Sequence, residues 1–181
     1  MTDIFVPRFW TARRRRGDHV TLLEGRGRIV DDKGRTVWEE PDWMPNALAD
    51  EGEEDVLNRW LLETSTLTKY LALLTATPTD TTTMATMTEL FTPPLNGYAR
   101  VQILNTDWST PALNTGDFQT AAAEKTFGPA ATSAWTAFTY AALVSTATGT
   151  AGKFLLYVAL SGSTSLSIGQ SFKYTLRVKS Q

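Results

Sequence analysis

The chain predicts a mostly β fold: an antiparallel β-sandwich or jelly roll carrying one α-helix and an extended N-terminal arm. Ser171–Lys179 alternates, with Phe172, Tyr174, Leu176 and Val178 on one face and Lys173, Thr175, Arg177 and Lys179 on the other. That two-residue period belongs to a half-buried strand. Apolar runs recur at roughly 10–18-residue spacing from residue 68 onward, divided by small polar turns, as in sandwiches and jelly rolls. Residues 76–181 hold 21 threonines but only 11 charged side chains. Threonine suits strands, and such a surface gives up the charge that discourages edge-to-edge association. The domain is therefore expected to work as a homo-oligomer.

Residues 1–23 read as a basic and apolar arm. Ile4, Phe5, Val6, Phe9 and Trp10 surround Pro7, and Arg13, Arg14, Arg15 and Arg16 follow, with no sustained periodicity. Apolar residues in an irregular terminal segment need a surface to bury against, and a partner supplies one. Residues 24–45 read as a β-hairpin linker, with Arg28–Val30 and Thr36–Trp38 flanking a turn at Asp31–Gly34. Residues 46–181 read as a helix plus β-sandwich domain. The helix is expected over 46–63: Asn46 or Asp50 caps it, acidic residues 50–55 favour its N-terminal dipole, and Val56, Leu57, Trp60 and Leu61 form one apolar stripe.

The strands follow in order. Thr68–Thr75 is apolar on both faces, as in a doubly buried strand. Asn96-Gly97 marks a tight turn into a strand at Tyr98–Leu104. Further strands are expected at Phe118–Phe127, Trp135–Val144, Phe154–Leu160 and Ser171–Lys179, with breaks at Gly128-Pro129 and Gly169.

The inventory for chemistry is thin. The chain has 181 residues, no cysteine and one histidine, His19, which lies in the arm. Thiolate and multi-histidine metal sites are thereby excluded, as is a cysteine nucleophile. No phosphate-binding glycine loop is present. Asp50–Asp55 reads as an acidic helix start rather than a calcium loop, lacking the alternating ligand spacing. No enzyme activity, cofactor or metal is expected. No run approaches the roughly 20 apolar residues of a membrane span, and the N-terminus lacks the layout of a signal peptide.

The arginine run carries +4 over four residues. Guanidinium groups pair bidentately with carboxylates, so an acidic protein partner is the favoured reading. Nucleic acid is disfavoured, since residues 1–45 sum to only +1. The partner-binding candidates are Phe5, Phe9, Trp10, Arg13, Arg14, Arg15 and Arg16. Trp108 and Trp135 with Tyr98 and Tyr140 suggest a sugar platform, but aromatics in a sandwich are more often core.

Several phrases succeed one another in order: Pro45-Asn46-Ala47-Leu48-Ala49-Asp50-Glu51-Gly52-Glu53, Lys69-Tyr70-Leu71-Ala72-Leu73-Leu74, Asn96-Gly97-Tyr98-Ala99-Arg100, and Gly128-Pro129-Ala130-Ala131-Thr132 before Trp135. Over roughly residues 28–160 this succession resembles a group of small tailed-phage virion proteins, described as minor tail or fibre-like. The resemblance implies a structural component of the virion, made in the host cytoplasm and attached to capsid, neck or tail subunits. Capsid decoration and a neck or tail accessory both fit. The alternative is a receptor-binding fibre or spike module that grips host-surface glycan.

Overall fold

The computed structural model describes residues 23–42, 44–48, 68–110, 112–114 and 117–179. Its described residues form eleven strands: β1 Leu23–Val30, β2 Thr36–Glu39, β3 Met44–Leu48, β4 Lys69–Leu74, β5 Val101–Ile103, β6 Ala112–Asn114, β7 Asp117–Ala121, β8 Lys125–Phe127, β9 Trp135–Val144, β10 Phe154–Leu166 and β11 Ser171–Lys179. All pairings are antiparallel, in two sheets.

The first sheet is centred on β1 and β11. β2 and β3 share the far side of β1, and β7 and β8 share the far side of β11, with β6 beyond β7. The second sheet runs β5-β4-β9-β10-β3. β3 belongs to both: Met44 and Pro45 pair with Gly25 and Glu24, whereas Asn46–Leu48 pair with Val158–Leu156. Pro45, which has no N–H to give, stands where the ladder changes partner, where the missing donor costs least.

The other edges meet too. Beyond β5 comes a short 3-10 turn, Asn105–Asp107. The Asp107 carbonyl accepts from Ala123 N–H at 2.8 Å and Ser109 N–H donates to Ala121 at 2.9 Å, hooking this segment between β7 and β8.

One core lies between the sheets. Leu71 and Leu73 of β4, Phe138 and Leu143 of β9, Phe172, Tyr174 and Leu176 of β11, and Phe127 of β8 are all buried in it. Phe138 and Phe172 meet edge to face across it at 5.1 Å, a geometry favoured by the ring quadrupoles. The opposite face of β4 is buried as well. Ala72 and Leu74 pack with Met84, Ala142, Val144 and Phe154 beneath the threonine-rich stretch 76–88. The two-faced apolar pattern of Thr68–Thr75 thus has the doubly buried environment expected of it.

The helix expected over 46–63 requires a correction at its start. Asn46, Ala47 and Leu48 are extended and hydrogen-bonded into β3. Pairing with β10 there overrides the capping signal that local sequence offers. The remainder of that helix lies outside the described residues. Only the 3-10 turn is helical among the described residues.

Three strand expectations also change. Tyr98–Leu104 shortens to β5, Val101–Ile103, with Tyr98 held instead in a bridge to Leu95. Phe118–Phe127 divides into β7 and β8, because β11 is long enough to pair with them one after the other. β10 continues to Leu166, with register breaks between Ala159 and Leu166.

Candidate functional site

The Asn96-Gly97 turn is the best-defined junction in the structure. Asn96 has φ 52° and Gly97 φ 78°, the left-handed pair of a type I′ hairpin. Leu95 and Tyr98 exchange both backbone hydrogen bonds across it, at 3.1 and 2.8 Å. The Asn96 side chain then reaches the loop before β9. Its Oδ1 accepts from the N–H groups of Thr132 at 2.7 Å and Ser133 at 3.1 Å, and its Nδ2 donates to the Ser133 carbonyl at 2.8 Å. The backbone carbonyl of Asn96 accepts from the indole of Trp135 at 2.9 Å. A Cβ on Gly97 would lie 2.0 Å from the Pro129 carbonyl oxygen, so glycine is required by space as well as by φ.

Tyr98 and Arg100 build the second part. The Tyr98 hydroxyl donates to Glu89 Oε1 at 2.6 Å and accepts the N–H of Leu73 at 3.0 Å. It thereby completes the β4 ladder where β5 stops. Arg100 forks onto the same carboxylate, Nε to Oε1 at 3.0 Å and Nη2 to Oε2 at 2.7 Å. Its remaining donors reach the carbonyls of Thr146 at 3.1 Å and Gly149 at 3.0 Å. Both partners are almost wholly buried. Burial, together with the Glu89 carboxylate, pushes the Tyr98 phenol well above its ordinary pKa, so it stays a hydrogen-bond donor.

A third polar centre sits where the two sheets share β3. Glu40 is fully buried. Its carboxylate accepts from Gly27 N–H at 2.5 Å and from Ser161 N–H at 3.0 Å, joining β1 to the irregular part of β10. Burial raises its pKa above the usual carboxylate range, against the pull of those two N–H donors. Tyr174, fully buried nearby, has its phenol pKa raised by burial and by the Glu40 charge.

The outer face of the first sheet is charged. Arg26, Arg28, Glu39, Glu124 and Thr175 line a shallow groove of about 230 Å³ floored at Gly27. Arg28 forks onto Glu124 with both bonds at 2.8 Å, Lys173 reaches the same carboxylate at 3.3 Å, and Arg26 pairs with Glu39 at 3.3 Å. The Arg28 hydrogen bond is the main reason the Glu124 carboxyl titrates below its ordinary value. Cations and carboxylates here largely answer one another.

Phe5, Phe9, Trp10, Arg13, Arg14, Arg15 and Arg16 lie outside the described residues, as do His19 and Asp50–Asp55. Tyr98 and Trp135 meet edge to face at 5.6 Å in the core. They are therefore closed to a sugar, while Trp108 and Tyr140 are only partly buried. Residue-by-residue reading missed the Glu89–Arg100 pair and Glu40. An isolated acid and base in a charge-poor region was the available signal for the pair.

The junction joins two stretches that stand apart in the chain, Asn96–Arg100 and Gly128–Trp135. A family model, Podophage GP4 fiber I protein gp80, matches residues 47–177, more than half of the chain. The chain belongs to this fibre I protein family. It is a structural component of the tailed-phage virion. No curated protein matches it. The family span contains Glu89, Asn96, Tyr98, Arg100 and Trp135, whereas β1, β2 and Glu40 lie before it. In this chain, then, one of the two central strands of the first sheet, β1, precedes the matched span, while its partner β11 lies almost wholly within it.

Proposed function

We infer that the chain is a non-enzymatic architectural subunit, attached to capsid, neck or tail proteins through residues 1–23 and self-associating through its β domain, which we read as a sandwich. The arm composition carries this reading: Phe5, Phe9 and Trp10 followed by Arg13–Arg16. Burying each large apolar side chain contributes roughly 1.5–3 kcal/mol. Ordering the backbone opposes this at about 1–2 kcal/mol per residue. Apolar contacts alone therefore do not hold the arm, and its arginines add charge-assisted bonds to carboxylates of a neighbouring virion subunit. The described charges support a structural reading, since Glu89, Asp107 and Glu124 each pair with a cation. The sandwich reading rests on the core shared by the two sheets, and self-association rests on the charge-poor, threonine-rich surface of residues 76–181.

The test is deletion of residues 2–16. The β domain should stay folded and the protein should be missing from particles. Replacing the four arginines with alanine should leave attachment weaker and less sensitive to salt. Normal occupancy of the truncated protein in particles would overturn the tether. The fibre name of the family favours a second reading, a receptor-binding module for host-surface glycan. Any such contact has to use residues other than the buried Tyr98 and Trp135.

A further inference from the structure

β2 is an edge of the first sheet. Among the described residues it pairs with β1 alone. Even that pairing is incomplete. Trp38 lies opposite Ile29 and Thr36 opposite Val30, with a register shift between them, so Val37 is the extra residue of a bulge and has no partner on β1. Its side chain is 52% exposed. A valine so placed gains from any neighbour that removes it from water.

The residues two positions to either side of Val37 carry opposite charges. Arg35 lies beside Asp31 with 72% of its side chain exposed, and Glu39 lies beside Arg26 with 47% exposed. Arg35 spends Nε and Nη2 on one oxygen of Asp31, and Arg26 meets one oxygen of Glu39. A guanidinium has five donors and a carboxylate two oxygens, so each keeps capacity for a further partner. Trp38, between Val37 and Glu39, packs on the core instead. The exposed side of the edge thus reads cation, valine, carboxylate at every second residue.

We propose that β2 meets β2 of a second copy in antiparallel register about a two-fold axis through Val37. That register sets Val37 against Val37 and Arg35 of each copy against Glu39 of the other, so the order of charges is its own complement. Parallel pairing in register would set Arg35 against Arg35 and Glu39 against Glu39, which opposes association. The contact is short, and the bulge limits how far a ladder can extend along it. It is a weak contact between neighbouring copies, independent of the arm, and it lies outside residues 76–181, on which the self-association reading stands. β2 also precedes the span matched by the family.

The cysteine-free sequence allows a direct test. Facing residues of an antiparallel pair have Cα atoms about 4.5–5.5 Å apart, within the range of roughly 4.4–6.8 Å that a disulfide spans. In concentrated protein under mild oxidation, Val37→Cys should form a disulfide-linked dimer about ten times faster than Leu104→Cys, because an existing contact raises the effective concentration of the second thiol. Leu104 is similarly exposed, at 48%. Adding Arg35→Glu or Glu39→Arg to Val37→Cys sets like charge opposite like, and each variant alone should fall to the Leu104→Cys rate. An equal mixture of the two restores both ion pairs and should recover the fast rate as a mixed dimer. Val37→Cys no faster than Leu104→Cys, or a mixture no faster than its components, would overturn the proposal. Light scattering of the parent separates it from self-association through residues 76–181: oligomers without selective cross-linking at Val37→Cys leave that reading standing and remove this one. Oligomers that persist with Arg35→Glu, alongside selective cross-linking, support two separate contacts.

Discussion

The indole N–H of Trp135 donates to the backbone carbonyl of Asn96 at 2.9 Å, across 39 positions of chain. The first residue of β9 is thereby bound to the left-handed turn that introduces Tyr98. Trp135 is buried by the same docking, its ring edge-on to Tyr98 and Phe91. The turn, the loop before β9 and the core aromatics form one unit, and it is sensitive to substitution at Asn96.

Asn96→Ala should destabilise the domain by about 3–4 kcal/mol. Three side-chain bonds to backbone are lost at on the order of 1 kcal/mol each, and alanine in the left-handed region adds roughly 1–2 kcal/mol, less any relief from water entering. Asn96→Gly should recover the conformational part alone. Urea denaturation of the two variants separates the contributions. Equal midpoints would show that φ contributes nothing.

Glu89→Ala should cost about 3–5 kcal/mol, since it strands the buried Arg100 charge. Replacing both partners, Glu89→Gln with Arg100→Met, should cost less than the sum of the single changes, with a coupling of about 0.5–3 kcal/mol. A thermal-melt double-mutant cycle measures this, and strict additivity would count against a shared network.

Glycine in β1 serves the aromatics of β11. A Cβ on Gly27 would sit 2.3 Å from the Phe172 ring, and one on Gly25 would sit 1.6 Å from the Tyr174 hydroxyl. Gly27→Ala should therefore destabilise by about 1–3 kcal/mol, the range for an overpacked core. Adding Phe172→Leu should return part of that loss, although leucine alone costs stability in the parent. The chemical midpoint of the double variant, compared with Gly27→Ala, checks it.

Glu40 gives a pH dependence of definite sign. Its folded pKa is raised above the unfolded value, so the folded state holds the proton more tightly. That contribution is fully present below the ordinary glutamate pKa and is lost as pH rises through the folded value. Relative to Glu40→Gln, which does not titrate, the parent should lose stability across this window. Glu124 runs the other way. Its folded pKa is lowered by Arg28, so its stabilisation is present above the ordinary value and lost as pH falls through the folded one. Denaturation at a series of pH values, on Glu40→Gln and Glu124→Gln separately, should show opposite slopes against the parent.

Much of the fold was legible in local pattern. Trp135–Val144 is a strand with the expected limits, and Ser171–Lys179 buries Phe172, Tyr174 and Leu176 as its alternation demands. Asn96-Gly97 is the turn its chemistry requires. Asn46–Leu48 was misread, because capping residues and helix propensity are weak beside the hydrogen bonds offered by β10. The division of Phe118–Phe127 was missed for a related reason: where a strand ends depends on how far its partner extends.

The sequence by itself determined the β class, the faces of β11 and the family, because side-chain period and turn chemistry act within a few residues of chain. The tertiary structure decided that β3 serves two sheets, that Glu40 joins Gly27 to Ser161, and that Glu89 meets Arg100 beneath Thr146 and Gly149. These are pairings between distant positions. Each buried charge or backbone donor must find a partner once water is removed, and which partner it finds is settled by the packing of the sheets rather than by any neighbour in the chain.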